Sequence, residues 1–410
     1  MILALLASVL IPATPPVAND WIIPAGTTVH YDTAQGAVDA RNVIIEAGAT
    51  LRVDGQRPFR LRATRAIQID GTLDLSGANA PDVACLACGN LQSPPGLGGP
   101  AGDTGGIGNV LTTTWNDKGG DATDAFGNPT IGGIGGDSAF GLPSQELRRP
   151  GGGGGGAFGP ELALVAPDPN NPLNNGRVAR AGFDGSPGAN SCVLGLGVQP
   201  RGGASAGLVF VDGSNGNDFW GREIDPLTGV VTIGELAAPL AGCAGGAGGN
   251  SVSSAVYPPT FAFAPWAVTK GAGGGGGGGL GILSALLVRV GPAGRIVCDG
   301  GAGGAGEDSL AGGITRVGGG GGGGSGGMLI LQARLIDLRN AQAQSIHALG
   351  GAGGRGMNNL FNTTCAGGSG GAGLIQFHVP NPSQLLLPAG MTLYQMTVPL
   401  AHVLQQEILP

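Results

Sequence analysis

Two stretches decide how this chain folds. Residues 273–304 read GGGGGGG-LGILSALLVRV-GPAGRIVCDG-GAGG, and residues 318–354 read GGGGGGGSGG-MLILQARLID-LRNAQAQSIHAL-GGAGG. Leu283, Ala285, Val288 and Val290 recur 48 residues later as Leu331, Ala333, Ile336 and Leu338. After a two-residue insertion, Ile296, Cys298 and Gly300 recur as Ile346, Ala348 and Gly350. Each module opens on a glycine run (Gly273 to Gly279, Gly318 to Gly324) and closes on GGAGG; less regular modules open at Gly151, Gly202 and Gly367.

Between the runs the apolar residues alternate. Val43, Ile45, Ala47, Ala49, Leu51 and Val53 form one row, and Ile67, Ile69, Leu73 and Leu75 form another. A period of two marks half-buried strands, and so much glycine opposes helices by about 1 kcal/mol per residue. A corner motif occurs three times, as Ile23-PAGTT-Val29, Ile45-EAGAT-Leu51 and Leu387-PAGMT-Leu393, with glycine where a tight turn needs it. Repeats of nearly fifty residues, each too small to bury its own face, point to stacked rungs. The expected fold is all-β, a parallel β-helix or solenoid with glycine-run insertions between rungs. The apolar row shifts phase after Ala285 and Ala333, which reads as a corner between two faces of a coil.

The expected organisation is a signal peptide or apolar arm (1–18), N-terminal rungs (19–80), irregular glycine-rich modules with loop insertions (81–270), regular modules (271–380) and a C-terminal strand and tail (381–410). Glycine supplies 86 of 410 residues and proline 29, yet apolar residues reach 41 % and the formal charge is only −7. Disorder needs low hydrophobicity and high net charge, so neither disorder nor a strict collagen period fits. Packed extended glycine helices of polyproline-II type, bonded sideways, fit better than flexible linkers, because the runs admit little but Gly and Ala at one recurring place.

A mildly acidic chain with scattered basic residues argues against nucleic acid as a partner. Residues 1–18 carry no charge and open on an apolar run, Ile2 to Ile11. They read as a secretory signal or, if retained, as an arm docking on a neighbour; prolines 12, 15 and 16 argue against a membrane span. Six cysteines suit an oxidising compartment. The candidate disulfides are Cys243 with Cys298, placed alike at module exits, and Cys85 with Cys88. Arg149, Arg201, Lys270 and Arg316 each stand just before a glycine segment, either as an anion-binding stripe or as cations bonded to run carbonyls.

No metal or cofactor is expected. Gly303–Ala311 matches a calcium nonapeptide with Asp308 at the acidic position, but calcium rolls need consecutive copies. The four histidines stand apart, and the GxSxG matches lack a strand-to-helix elbow. Asp212, Asp218, Glu223 and Asp225, near Phe219 and Trp220, are the densest acidic group and the one place for a loop-borne hydrolytic site.

With its GTLDLSG segment at Gly71–Gly77, its AGxT corners and its glycine-run modules, the chain resembles glycine-rich secreted β-helix proteins of high-GC bacteria. The runs themselves look similar to polyglycine layers of some phage tail-tip adhesins and of springtail antifreeze proteins. The resemblance implies a non-enzymatic extracellular or cell-surface protein. The expected function is a secreted, self-associating structural subunit of a fibre or surface layer, joined through solenoid ends or the N-terminal arm. An adhesin recognising surface glycans is the alternative, and a polysaccharide-degrading β-helix enzyme stands third.

Overall fold

The computed structural model describes residues 19–83, 93–108, 133, 135, 139–141, 153–156, 217–224, 228–236, 238–253, 268–269, 271–309, 316–356 and 365–405. In chain order its strands are β1 (Trp21–Ile23), β2 (Thr28–Asp32), β3 (Val38–Ile45), β4 (Thr50–Asp54), β5 (Phe59–Ile69), β6 (Thr72–Asp74), β7 (Ala139–Gly141), β8 (Arg222–Ile224), β9 (Val231–Ile233), β10 (Ser251–Ser253) and β11 (Val268–Thr269). There follow β12 (Leu280–Val290), β13 (Arg295–Val297), β14 (Asp308–Ser309), β15 (Arg316–Val317), β16 (Met328–Asp337), β17 (Ile346–His347), β18 (Leu374–Val379) and β19 (Leu385–Leu386). One helical turn, α1 (Leu393–Met396), precedes β20 (Thr397–Val398) and β21 (His402–Gln405).

Two all-parallel sheets organise the molecule. The first runs β1-β3-β5-β12-β16-β18-β21 with β19 beside β16, and the second runs β2-β4-β6-β13-β17-β20. Because the chain passes from one sheet to the other and back, the two parallel sheets are consistent with the coil of a β-solenoid. Its interior consists of aligned aliphatic rows. Val29, Leu51, Leu73, Ile296 and Ile346 stack through the second sheet, ending on Thr397. Leu61, Leu283, Leu331, Phe377 and Val403 stack through the first. Trp21, Tyr31 and Phe59 form an edge-to-face series with ring centroids 5.9 and 5.7 Å apart. Stacking of successive rungs is what buries these faces, since no single rung encloses a core.

The 48-residue repeat is a true structural register: Leu283, Ala285 and Val288 pair with Leu331, Ala333 and Ile336. The phase shift is not a corner, however. β12 and β16 run unbroken through it within one sheet. Against β5 the register of β12 slips between Ser284 and Leu287, and β3 slips against β5 between Ala40 and Asn42. The extra residue lies in β5, whose inward row keeps its phase, while the shifted rows of β12 and β16 stay in register with each other.

The real corners are the AGxT motifs, where Gly26 and Gly48 hold φ of +71° and +77°. The third copy keeps the turn, with Gly390 at +77°, but Leu393 then opens α1 rather than a strand. A longer-range feature is invisible in the repeat pattern. β5 and β6 pair directly with β12 and β13, so the strands next in the two sheets after Asp74 begin only at Leu280. No described strand from that span enters either sheet.

Candidate functional site

The glycine segments bond to one another with a period of three. Within residues 318–327, the N–H groups of Gly318, Gly321, Gly324 and Gly327 donate to the carbonyls of Glu307, Gly304, Gly301 and Cys298. Those of Gly319, Gly322 and Ser325 donate to Gly249, Gly246 and Cys243, and those of Gly320, Gly323 and Gly326 to Cys365, Gly368 and Gly371. The same run accepts from residues 272–278, 153–156 and 351–354. Residues 271–279 behave alike: they donate to 319–325, 103–106 and 75–78, and accept from 96–99, 242–248 and 301–304. Every third residue therefore faces the same neighbour, and three faces are served in turn.

This order follows the solenoid. Residues 271–279, 318–327 and 367–373 lead into β12, β16 and β18, which are consecutive in the first sheet, and they bond in that same order. Side chains are excluded by contact. A Cβ on Gly322 lies 2.0 Å from the Gly154 carbonyl oxygen, and one on Gly275 lies 2.0 Å from that of Gly301.

Where the bundle meets solvent, side chains take over. Ser76 Oγ, Asn79 Oδ1 and Asp82 Oδ1 accept from the backbone N–H of Asp299, Ala302 and Ala305 at 3.2, 2.7 and 2.8 Å. Asp299 in turn accepts from the Leu349 N–H at 2.7 Å and bonds His347 Nδ1 at 2.9 Å. Sequence reasoning missed this row, because each acceptor lies 223 residues from its donor; the signal was the three-residue spacing of 76, 79 and 82 against 299, 302 and 305.

Of the glycines singled out in sequence, Gly273, Gly279, Gly318 and Gly324 belong to this bundle, while Gly151 lies outside the described residues. So do Arg149, Arg201, Lys270, Cys85 and Cys88. Arg316 begins β15, which pairs antiparallel with β14, where Asp308 sits opposite Val317. A two-stranded antiparallel ribbon is not the parallel turn of a calcium roll. Among the described residues no group of three or more potential ligands gathers for a metal.

The Cys243–Cys298 disulfide does not form; both are buried free thiols. Residues 271–279 and 318–327 each bond to both cysteine-bearing segments, 242–249 and 298–306, and stand between them. Cys298 Sγ instead donates to the Gly279 carbonyl at 2.9 Å, and burial pushes both thiols far above the usual range.

The acidic group is only partly placed, since Asp212 and Asp225 fall outside the described residues. Asp218 is buried and Glu223 lies on β8, which crosses beside β21. Across the outer faces of the sheets, rungs are tied by ion pairs. Arg41 holds Asp20 at 2.8 Å and pulls its carboxyl down to about 2, and Arg52 reaches Asp54 at 2.9 Å and Asp74 at 2.8 Å. The Arg41–Asp20 and Arg52–Asp74 pairs staple one rung to the next, whereas Arg52–Asp54 lies within β4.

Each sheet ends on strands with one unpaired edge among the described residues. These are β1 and β2 at one end of the coil, β20 and β21 at the other. None of the helices described is long and apolar enough to cross a membrane. No family model, no curated protein and no solved structure matches the chain.

Proposed function

We propose that the chain is a secreted structural protein, a solenoid subunit that associates with copies of itself into a fibre or surface layer. The observation that carries this reading is the pair of parallel sheets ending on strands with open edges. Unpaired N–H and C=O rows template the addition of another strand. The glycine segments are polyglycine-II helices: their three-residue bonding period equals the three residues per turn of that conformation, and only glycine permits the approach. Glycine bundle and solenoid repeat along one direction, so a second copy added at an end extends both. The association is head to tail, which does not close and therefore propagates.

Light scattering and negative-stain microscopy of the full chain over a hundredfold concentration range test this. Rods lengthening with concentration are expected. Monodisperse monomers throughout overturn it, and glycan-array binding by such monomers moves the assignment to an adhesin.

A further inference from the structure

Residues 217–224, 228–236 and 238–241 cover part of the outer face of the first sheet. Beneath them Leu280, Met328, Ile330 and Leu374 form an apolar patch separate from the solenoid interior, closed by Leu236 and bordered by Trp220, Ala241 and Ile282. Two histidines on the last strands lie under aromatic rings of the same segment. Trp220 stands over His378 and Phe219 over His402, both at 5.8 Å between ring centroids.

Gln376 fastens the segment to the sheet. Its Oε1 accepts from the Trp220 N–H at 3.1 Å, and its Nε2 donates to the Trp220 carbonyl at 2.8 Å. These two bonds determine which end of the amide is nitrogen. That same Nε2 lies 3.2 Å from His378 Nε2. An amide nitrogen only donates, so His378 Nε2 carries no proton and the ring is neutral. Both side chains are buried, so water does not relieve a mismatch.

We propose that Gln376, His378 and Trp220 form an acid-sensitive latch, in which protonation of His378 at Nε2 releases residues 217–224 and uncovers the apolar patch. Protonated, His378 confronts Gln376 with a second donor. Gln376 must then turn its oxygen to the imidazolium, which breaks both of its bonds to the Trp220 backbone. His402 works in the same sense, since burial alone pulls its pKa below 6.5. A histidine lowered in the folded state contributes stability above its unfolded value, and loses it as pH falls through the folded value. The charged and titratable groups on the elements packed against the pair are Asp218 and Glu235 of the covering segment and Arg222 and Glu223 of β8, and the two histidines lie on adjacent strands. The inference stands apart from self-association: the latch operates in a monomer.

The test uses the full chain between pH 7.5 and 5.0. Amide protection at Phe219–Gly221, corrected for intrinsic exchange, is read beside dye binding to apolar surface, with far-ultraviolet circular dichroism following the sheets. Protection should fall by up to about tenfold per pH unit below 6.5 while the sheets persist. His378→Gln keeps an acceptor for Gln376 and does not titrate, so it should stay latched; His402→Phe keeps the ring contact and should respond less. Protection indifferent to pH in the wild type, or an undiminished response in His378→Gln, overturns the proposal. Should the variants fail to fold, nuclear magnetic resonance titration of the wild-type histidines decides. Detachment of residues 217–224 must track His378 protonation, and a His378 that titrates without it sinks the latch.

Discussion

Gly322 shows at residue scale why this composition is obligatory. Its missing Cβ is the space occupied by the Gly154 carbonyl, and backbone on three sides leaves nothing flexible to yield. Gly322→Ala should destabilise the protein by about 1–3 kcal/mol or more in denaturant melts, as overpacking does. Ala352→Ser, on the exposed side of its segment, should stay within about 0.5 kcal/mol. Asn79→Ala removes the acceptor of the Ala302 N–H and should cost about 1 kcal/mol. That glycine is structural was legible from runs admitting only Gly and Ala. Which residues cap the lattice was not, because Asn79 and Ala302 meet only after the chain returns from a long excursion.

Among the elements, β12 and β16 show how far a pattern reaches. The 48-residue match between Leu283 and Leu331 became a pairing register, as alternating rows demand when one face is buried. Their phase shift was misread because an irregularity within one continuous strand changes the inward row as a corner does. Leu73→Ala, in the middle of the stacked row of the second sheet, should cost about 2–5 kcal/mol. Beside it, burial alone would raise the Asp74 carboxyl. Arg52 at 2.8 Å and the Ser76 N–H at 3.0 Å outweigh that and hold it below 3.8. The stability from this depressed carboxyl is present above pH 3.8 and is lost as pH falls through its folded value. Asp74→Asn should therefore flatten the pH dependence of melting as pH falls below 3.8.

For the whole molecule, the solenoid and the glycine bundle stand or fall together. β12 needs β5 as its neighbour, and residues 271–279 need the segments at 75–78, 96–99, 103–106 and 242–248. A fragment of residues 271–410, although it holds both regular modules, should show no cooperative melt and should aggregate, as circular dichroism and light scattering would report. The sequence by itself determined that the protein is β, that its strands repeat, and that its glycines occupy fixed slots. Period, composition and corner chemistry are local, and short spans express them. Only the tertiary structure decided that rungs from residues 19–74 and 280–405 form one coil, that Cys243 and Cys298 are kept apart, and that two histidines, His378 buried and His402 half-buried, underlie an aromatic segment. Each of these depends on where the chain returns after a long excursion, which hydrogen bonds between distant backbones settle and local pattern does not encode.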